Sequence, residues 1–332
     1  LSALITKEKR VILACGEALM DVFLRQGGGL ARPAVFAMGG SPFNVAVALA
    51  RQGVKAGFFG GLSGDAFGQM LRGILDAEGI DHTLSPPLPF KTTLAIVSRD
   101  TIGQPSYDFR GHEGADIMFG ASHVPETLPD AYRAIVLSSY PMVVEPVRHA
   151  MLAIAQLAAR DRLVSIDVNY RPALVGSSLL WAERFAPYEP LATIMKASEE
   201  DIALAYEGRR TPDAAAAYWL ARGAALVLIT RGADGASAYM AGGSLHAAAP
   251  RVTVVDTVGA GDCFHAGFLA ALDRLGALSR DGIETLSAVN LQACLIRAIA
   301  AASLNVTREG TNPPTAAAID AALALQDTGM PS

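Results

Sequence analysis

The stretch Val252 to Gly267 reads VTVVDTVGAGDCFHAG and places an acid directly behind a run of small residues. Gly259, Ala260 and Gly261 leave a backbone that a ligand can approach without side-chain obstruction. Phe264, Phe268, Leu272 and Leu275 then recur near a helical period, so a helix is expected to start at the turn. Free N–H groups and the positive end of the helix dipole make such a start an anion site. Asp262 stands at its mouth, where a carboxylate would repel an anion. That placement suits a base that takes a proton from a nucleophile attacking a bound phosphoryl group. Ordinary capping by an aspartate in a first helical turn accounts for the residue equally well. Ahead of the turn, the β-branched Val252, Val254 and Val255 predict a buried strand.

Other polar side chains fall where strands end. Val11 to Cys15 is a compact apolar run closed by Gly16, and Glu17 and Asp21 follow at once. Open α/β sheets bind ligands at strand C-termini, and a carboxylate accepts from two vicinal hydroxyls, so Asp21 is a candidate polyol ligand. Glu17 reads first as a structural ion-pair partner. Met38 to Val45 places Gly39 and Gly40 ahead of Pro42, suited to a first helical turn, with Asn44 facing the same cleft. Asp167, Asn169 and Arg171 follow the strand Leu163 to Ile166, and Pro172 biases Arg171 toward an extended loop. Arg171 suits charge neutralisation on a phosphate. Tyr107, Phe109 and Arg110 offer a hydrophobic wall and a charged donor. The six histidines show no metal-binding spacing.

These groups need a frame of alternating elements. Strands are expected at Val11–Cys15, 56–61, 134–137, 163–166, 191–195, 225–229 and 236–240, with helices from Pro42 to Gln52, Gln69 to Glu78, 145 to 159 and Ile283 to Ala302. Asp65 reads as a turn and cap residue. The βαβα order over roughly 130–230 implies a mostly parallel sheet with helices on both faces. Segments near 18–37 and 90–112 alternate loosely and predict short strands outside that sheet. No linker divides the chain, which is read as one domain over 1–332. It has 332 residues, 51% of them hydrophobic, and a formal net charge of −5, without the basic footprint of a nucleic-acid binder. Cys15, Cys263 and Cys294 read as reduced thiols of a cytoplasmic protein. No secretory pattern opens the chain, and the alanine-rich stretches at 214–225 and 298–302 are too short or interrupted to span a bilayer, so no membrane partner is expected.

The 252–267 segment resembles the C-terminal signature of the ribokinase-like, or PfkB, carbohydrate kinases, DTxGAGDxFxxG, matched at Asp256, Thr257, Gly259, Ala260, Gly261, Asp262, Phe264 and Gly267. GGSPFN resembles the family's N-terminal GGxxxN motif, and Gly61, Gly64, Asp65, Phe67 and Gly68 fit a further marker, GxxGxDxFG. DVNYRP at 167–172 resembles its central segment, and GEALMDVF the opening of bacterial fructokinases. The likeness spans about residues 11–315. It implies an α/β, ribokinase-like three-layer fold with a small β lid, formed by the segments near 18–37 and 90–112. It also implies transfer of the ATP γ-phosphoryl to a primary hydroxyl of a small keto sugar.

In that reading Asp262 is the base, Gly259, Ala260 and Gly261 form the anion hole, and Arg171 neutralises the transferring phosphate. Asp21, Gly39, Gly40 and Asn44 orient the sugar under Tyr107, Phe109 and Arg110. Ser198, Thr230, Gly232, Gly235 and Asn290 join Gly259 and Gly261 around the nucleotide. Mg²⁺ is implied, with Asp201 reaching it through water. Ser198 and Asp201 stand where the family more often has Asn and Glu, which leaves room for Glu200. Asp256 is implied near a K⁺ site, and a homodimer through the lid edges. D-Fructose is the first acceptor, with 2-keto-3-deoxygluconate as the alternative. Rival classes fare worse. No GxGxxG follows Val11–Cys15, and no GxxxxGK[ST], HRD or DFG set occurs. A noncatalytic sugar-binding protein would have no use for Asp262 in an anion turn.

Overall fold

Strand β1 (Val11–Cys15) is apolar at every position because both of its faces are covered. Ile12 and Ala14 pack into one helical layer, and Leu13 and Cys15 into the other. The computed structural model describes residues 10–25, 30, 33–99 and 105–327. Its central sheet joins β1 to β4 (Lys55–Phe59), β9 (Tyr132–Ser138), β10 (Leu163–Asp167), β11 (Ile194–Ser198), β12 (Leu226–Thr230), β13 (Ala236–Met240) and β14 (Gly243–Ala247). The order is β14-β13-β12-β11-β10-β9-β1-β4. The pairings from β4 through to β12 are parallel, and β13 and β14 add an antiparallel edge. Strands β5 (Leu62–Ser63) and β6 (Pro87–Leu88) form a separate short pair.

Helices α1 (Ser41–Arg51) and α2 (Ala66–Ala77) cover one face together with α8 (Ala260–Leu275) and α10 (Ala288–Val306). The other face carries α3 (Arg148–Ala158), α5 (Ser178–Phe185), α6 (Glu199–Ala205) and α7 (Pro212–Ala221). Short α4 (Pro172–Val175) and α9 (Arg280–Glu284) lie in connections, and α11 (Ala316–Asp327) packs on α10. A second sheet of four strands, in order β3-β2-β7-β8, is built from β2 (Leu19–Leu24), β3 (Ala34–Gly39), β7 (Leu94–Arg99) and β8 (Pro105–Arg110). It is the lid, and it stands over the C-terminal end of β1.

Three local expectations need correction. Val252–Val255 is not a strand, and Val254 and Val255 are 57% and 56% exposed. The backbone N–H groups of Val255 and Asp256 instead donate to the Val306 carbonyl at the end of α10, at 2.8 and 3.2 Å. The helical region expected from Ile283 is two helices, because Ser287 caps a new one by accepting from the Asn290 N–H. The alanine-rich stretch at 298–302 belongs to α10, a 19-residue helix long and apolar enough by composition to cross a membrane. Leu291, Leu295, Ala298 and Arg297 are buried against α8 and α11, which is the position of a core helix.

Candidate active site

Five central strands end on one rim, and the predicted polar residues gather there. Asp167 pairs in register with Ser138 of β9 and with Lys196 of β11. Above the rim lies a cleft of about 630 Å³, lined from both sheets and from the start of α8, a size suited to small ligands.

Asp262 sits in the first turn of α8. Gly259 immediately precedes the helix in the left-handed conformation (φ 76°), so the chain turns sharply; the Ala260 N–H donates to the Thr257 carbonyl at 3.2 Å, and Gly261 and Asp262 follow on the cleft wall. A Cβ at Gly259 would meet Thr311 at 2.6 Å, and one at Gly261 would lie 3.0 Å from Lys196 Nζ. The small residues therefore let the turn sit against a buried ammonium. Lys196 Nζ donates to Asp167 Oδ2 at 2.6 Å. Burial alone would lower the Lys196 pKa, but Asp167, Asp201 and Asp262 outweigh it and hold the ammonium protonated. Burial pushes Asp167 up to about 7 against the pull of Lys196. The turn is braced from behind by Asn305, whose Nδ2 donates to the Val258 carbonyl at 2.8 Å.

Both oxygens of Asp262 are held. Ser41 Oγ donates to Oδ1 at 2.6 Å and Asn44 Nδ2 to Oδ2 at 2.8 Å. Burial raises the Asp262 pKa, while those two hydrogen bonds and the charges of Lys196 and Arg171 oppose the rise. Asn44 was expected on a sugar hydroxyl; its amide nitrogen is committed to the carboxylate, although the residue still lines the cleft. Ser41 was not anticipated as a site residue. The signal was its place inside GGSPFN, but nothing in the spacing says that a first-turn serine of α1 reaches across to α8.

Asp21 lies on β2, 8% exposed, and its pKa is raised to about 7 by burial and then by Asp262, with Arg171 opposing. Gly39 on β3 leaves room for it: a Cβ there would stand 2.2 Å from Asp21 Oδ2. Gly40 (φ 104°) precedes α1 and passes so close to the Glu17 carbonyl that a Cβ would meet it at 2.6 Å. Glu17 has no ion-pair partner among the described residues. It is 2% exposed, accepts from the Ser41 N–H at 2.9 Å, and is pushed up to about 8 by burial. Leu19, Ala95, Phe109 and Tyr140 supply an apolar wall, with Phe109 edge-on to Tyr140 at 6.1 Å.

Alternation along β8 separates the other lid candidates. Phe109 faces the cleft, whereas Arg110 is exposed and pairs with Asp108 at 2.5 Å, so it is not part of the cleft wall. Tyr107 falls on β8, and its side chain lies outside the described residues. Arg171 lines the cleft without a carboxylate in hydrogen-bond contact among the described residues.

The nucleotide and cation candidates divide. Ser198 and Asp201 form a capping box at the start of α6. Asp201 Oδ2 accepts from the Ser198 N–H and Oγ, and Oδ1 from the Tyr170 N–H at 2.9 Å. The Asp201 carboxylate is thus satisfied by protein donors, and Glu200, one residue earlier, lines the cleft instead. Thr230 pairs in register with Ser198 at the strand rim. Gly232 (φ 55°) follows it with open space around, while Gly235 (φ 95°) packs tightly under the Ala247 carbonyl and serves the hairpin. Asn290 is exposed in the first turn of α10 and is not part of the cleft wall. Asp256 accepts from the Val258 and Gly310 N–H groups, each at 3.1 Å, and ties the turn before α8 to the loop after α10. Among the described residues no three His, Cys, Asp or Glu side chains form a metal cluster. His265 is fully buried against Ser165 Oγ at 2.6 Å, and burial lowers its pKa to about 3.

The cleft thus holds a glycine turn at a helix start, a held carboxylate in the first turn after it and a second carboxylate on the lid. The profile of the pfkB family carbohydrate kinases matches residues 9–318, and the chain belongs to that family. A fructokinase of Rhizobium leguminosarum bv. trifolii is 34% identical over 277 residues, 83% of this chain and 84% of its own. The aminoimidazole riboside kinase of Salmonella typhimurium is also 34% identical, over 241 residues, 71% of this chain and 74% of its own. Among solved structures, fructokinase with bound ATP from Xylella fastidiosa superposes with a TM-score of 0.84 at 28% identity, covering 97% of this chain and 100% of that one.

Proposed function

We propose that this carbohydrate kinase transfers the γ-phosphoryl of ATP to a primary hydroxyl of D-fructose. The observation that carries the reading is the pairing, in one cleft, of Asp262 behind the left-handed Gly259 turn with Asp21 on the lid. Asp21 accepts from sugar hydroxyls while the apolar wall of Leu19, Phe109 and Tyr140 covers the carbon face. Asp262 takes the proton of the attacking hydroxyl as its O–P bond forms and the bond from the γ-phosphorus to the β,γ-bridging oxygen breaks, releasing ADP. The N–H groups opening α8, Lys196 and Arg171 hold the charge that develops on the transferring group.

ATP fits as the donor because the turn is built for phosphate, and the relative from Xylella fastidiosa was solved with ATP bound. Magnesium fits as the ATP-bound ion rather than as a resident metal, since Asp201 is taken up by its cap and Glu200 is the acid left on the cleft wall. When bound, it neutralises phosphate charge.

Fructose is favoured over 2-keto-3-deoxygluconate because the carboxyls of Asp21 and Asp262 border the acceptor side, and the candidate lid cation Arg110 is turned away. A neutral polyol suits that field better than a carboxylate sugar. The name of the Rhizobium relative points the same way. An ADP-release assay with Mg²⁺-ATP against fructose, 2-keto-3-deoxygluconate, ribose and aminoimidazole riboside decides it. Fructose should give the largest kcat/KM, and a larger value for any other acceptor overturns the assignment.

A further inference from the structure

We propose that Ser41 and Ser138 are positioning residues for the base: two buried hydroxyls in series, continued by Asn169, that hold the Asp262 carboxylate ionised and aimed at the acceptor. The proposal rests on the reading of Asp262 as the base.

The direction of the chain follows from donor bookkeeping. An ionised carboxylate only accepts, so the single Ser41 proton points at Asp262 Oδ1, 2.6 Å away. Ser41 Oγ also lies 2.6 Å from Ser138 Oγ. With the Ser41 proton committed, Ser138 must be the donor of that second contact. Ser138 Oγ then accepts from Asn169 Nδ2 at 3.2 Å. Every hydrogen in the series points toward Asp262, and each donor polarises the next.

The three residues stand on different elements: Ser41 opens α1, Ser138 ends β9 and Asn169 follows β10. Ser41 is itself fixed by its backbone N–H on Glu17 Oε1. One hydrogen bond would leave the carboxylate free to pivot; Ser41 on one oxygen and Asn44 on the other fix its plane. Exposures of 6% for Ser41 and 0% for Ser138 keep water from replacing the donors.

The titratable groups around Asp262 are Asp21 from β2, Glu17 after β1, Asp167 from β10, Lys196 from β11 and Arg171 ahead of α4. None of them changes in Ser41→Ala, so any change in titration isolates the hydroxyl.

The test compares Ser41→Ala, Ser138→Ala and Ser41→Thr with the unaltered protein, by two readouts. In kcat/KM profiles for the sugar turned over, losing a donor to the carboxylate should move the acidic limb up by about one pH unit and lower kcat roughly tenfold. Ser138→Ala should move it less, Ser41→Thr should restore it, and the KM for ATP should stay unchanged. In ¹³C-carboxyl NMR without substrate, the Asp262 signal, assigned with Asp262→Asn, should titrate about one unit higher in Ser41→Ala. An unmoved limb and an unmoved titration in folded variants overturn the proposal. If Ser41→Ala does not fold, Ser138→Ala, which leaves the start of α1 intact, decides by the same readouts. A shifted titration in a protein that phosphorylates no sugar supports the hydroxyl series and overturns the kinase reading instead.

Discussion

Replacing Gly39 by alanine should damage sugar use without touching the reacting atoms. Gly39 ends β3 in a conformation open to any residue, so the substitution brings no backbone strain and slightly restricts the unfolded chain. Its cost lies in one contact. The new Cβ would stand 2.2 Å from Asp21 Oδ2 and 2.9 Å from its Cγ, where ordinary contact begins at 3.4 Å. The carboxylate must therefore move by more than an ångström, away from the position in which it meets the acceptor. A misplacement of about 1 Å costs on the order of 100-fold when orientation is what a residue supplies. We expect kcat/KM for the sugar to fall roughly 10- to 100-fold, equivalent to about 1.4–2.7 kcal/mol of transition-state stabilisation. The KM for ATP should hold within about twofold, because Asp21 lies on the acceptor side. A double-mutant cycle sharpens the test. In an Asp21→Ala background the nearest remaining atom is Leu19 Cδ1 at 3.2 Å, a methyl that can yield, so Gly39→Ala should add little. Full additivity of the two losses, or a change confined to the KM for ATP, would refute the reasoning.

Asp262→Asn should lower kcat by about 10²- to 10⁴-fold, the range for a positioned acid–base group, with nucleotide affinity measured by calorimetry nearly unchanged. A variant that keeps wild-type turnover removes Asp262 from the reaction. Lys196→Met leaves Asp167 buried without its partner, and urea unfolding at pH 8 should show a loss of roughly 3–5 kcal/mol. The loss should shrink at pH 5, where the Asp167 carboxyl, already raised to about 7, takes up a proton. Equal stability at pH 8 would contradict the pairing. Glu17 has a folded pKa of about 8 against an ordinary 4.5, so between those values the native state keeps a proton that the unfolded chain has released. Stability therefore falls as pH rises through that window, and Glu17→Gln, which keeps an acceptor for the Ser41 N–H, should remove the part of the fall that lies above the Asp21 and Asp167 values, between about pH 7 and 8. The variant should be the more stable protein at pH 8, and parallel pH profiles of the two proteins would refute it.

Much of the site was legible from local rules. The small residues at 259–261 and the helical period after them located the turn that opens α8, because a left-handed residue ahead of a helix restricts composition strongly. Continuous apolar runs such as Val11–Cys15 located strands covered on both faces. Asp65 caps α2 as its spacing suggested, accepting from the Gly68 N–H at 2.9 Å.

What stayed hidden depended on partners far along the chain. Val252–Val255 has strand composition, yet the N–H groups of Val255 and Asp256 go to the Val306 carbonyl at the end of α10, a partner some fifty residues later. Asp201 and Glu200 are adjacent, and helix phase alone turns one into a cap and the other toward the cleft. Arg110 and Phe109 are separated in the same way by strand alternation. The sequence by itself determined that a glycine turn would open a helix with an acid just behind it, and that polar residues would follow strand ends, since those demands fall on single residues and short turns. Only the tertiary structure decided that Ser41 and Asn44, on a helix more than two hundred residues earlier, hold the two oxygens of Asp262. Burial then raises ordinary carboxyls to about 7, as at Asp21 and Asp167. Hydrogen bonds and desolvation act through space, and the spacing of residues along the chain carries no record of which distant side chains will come within 3 Å of one another.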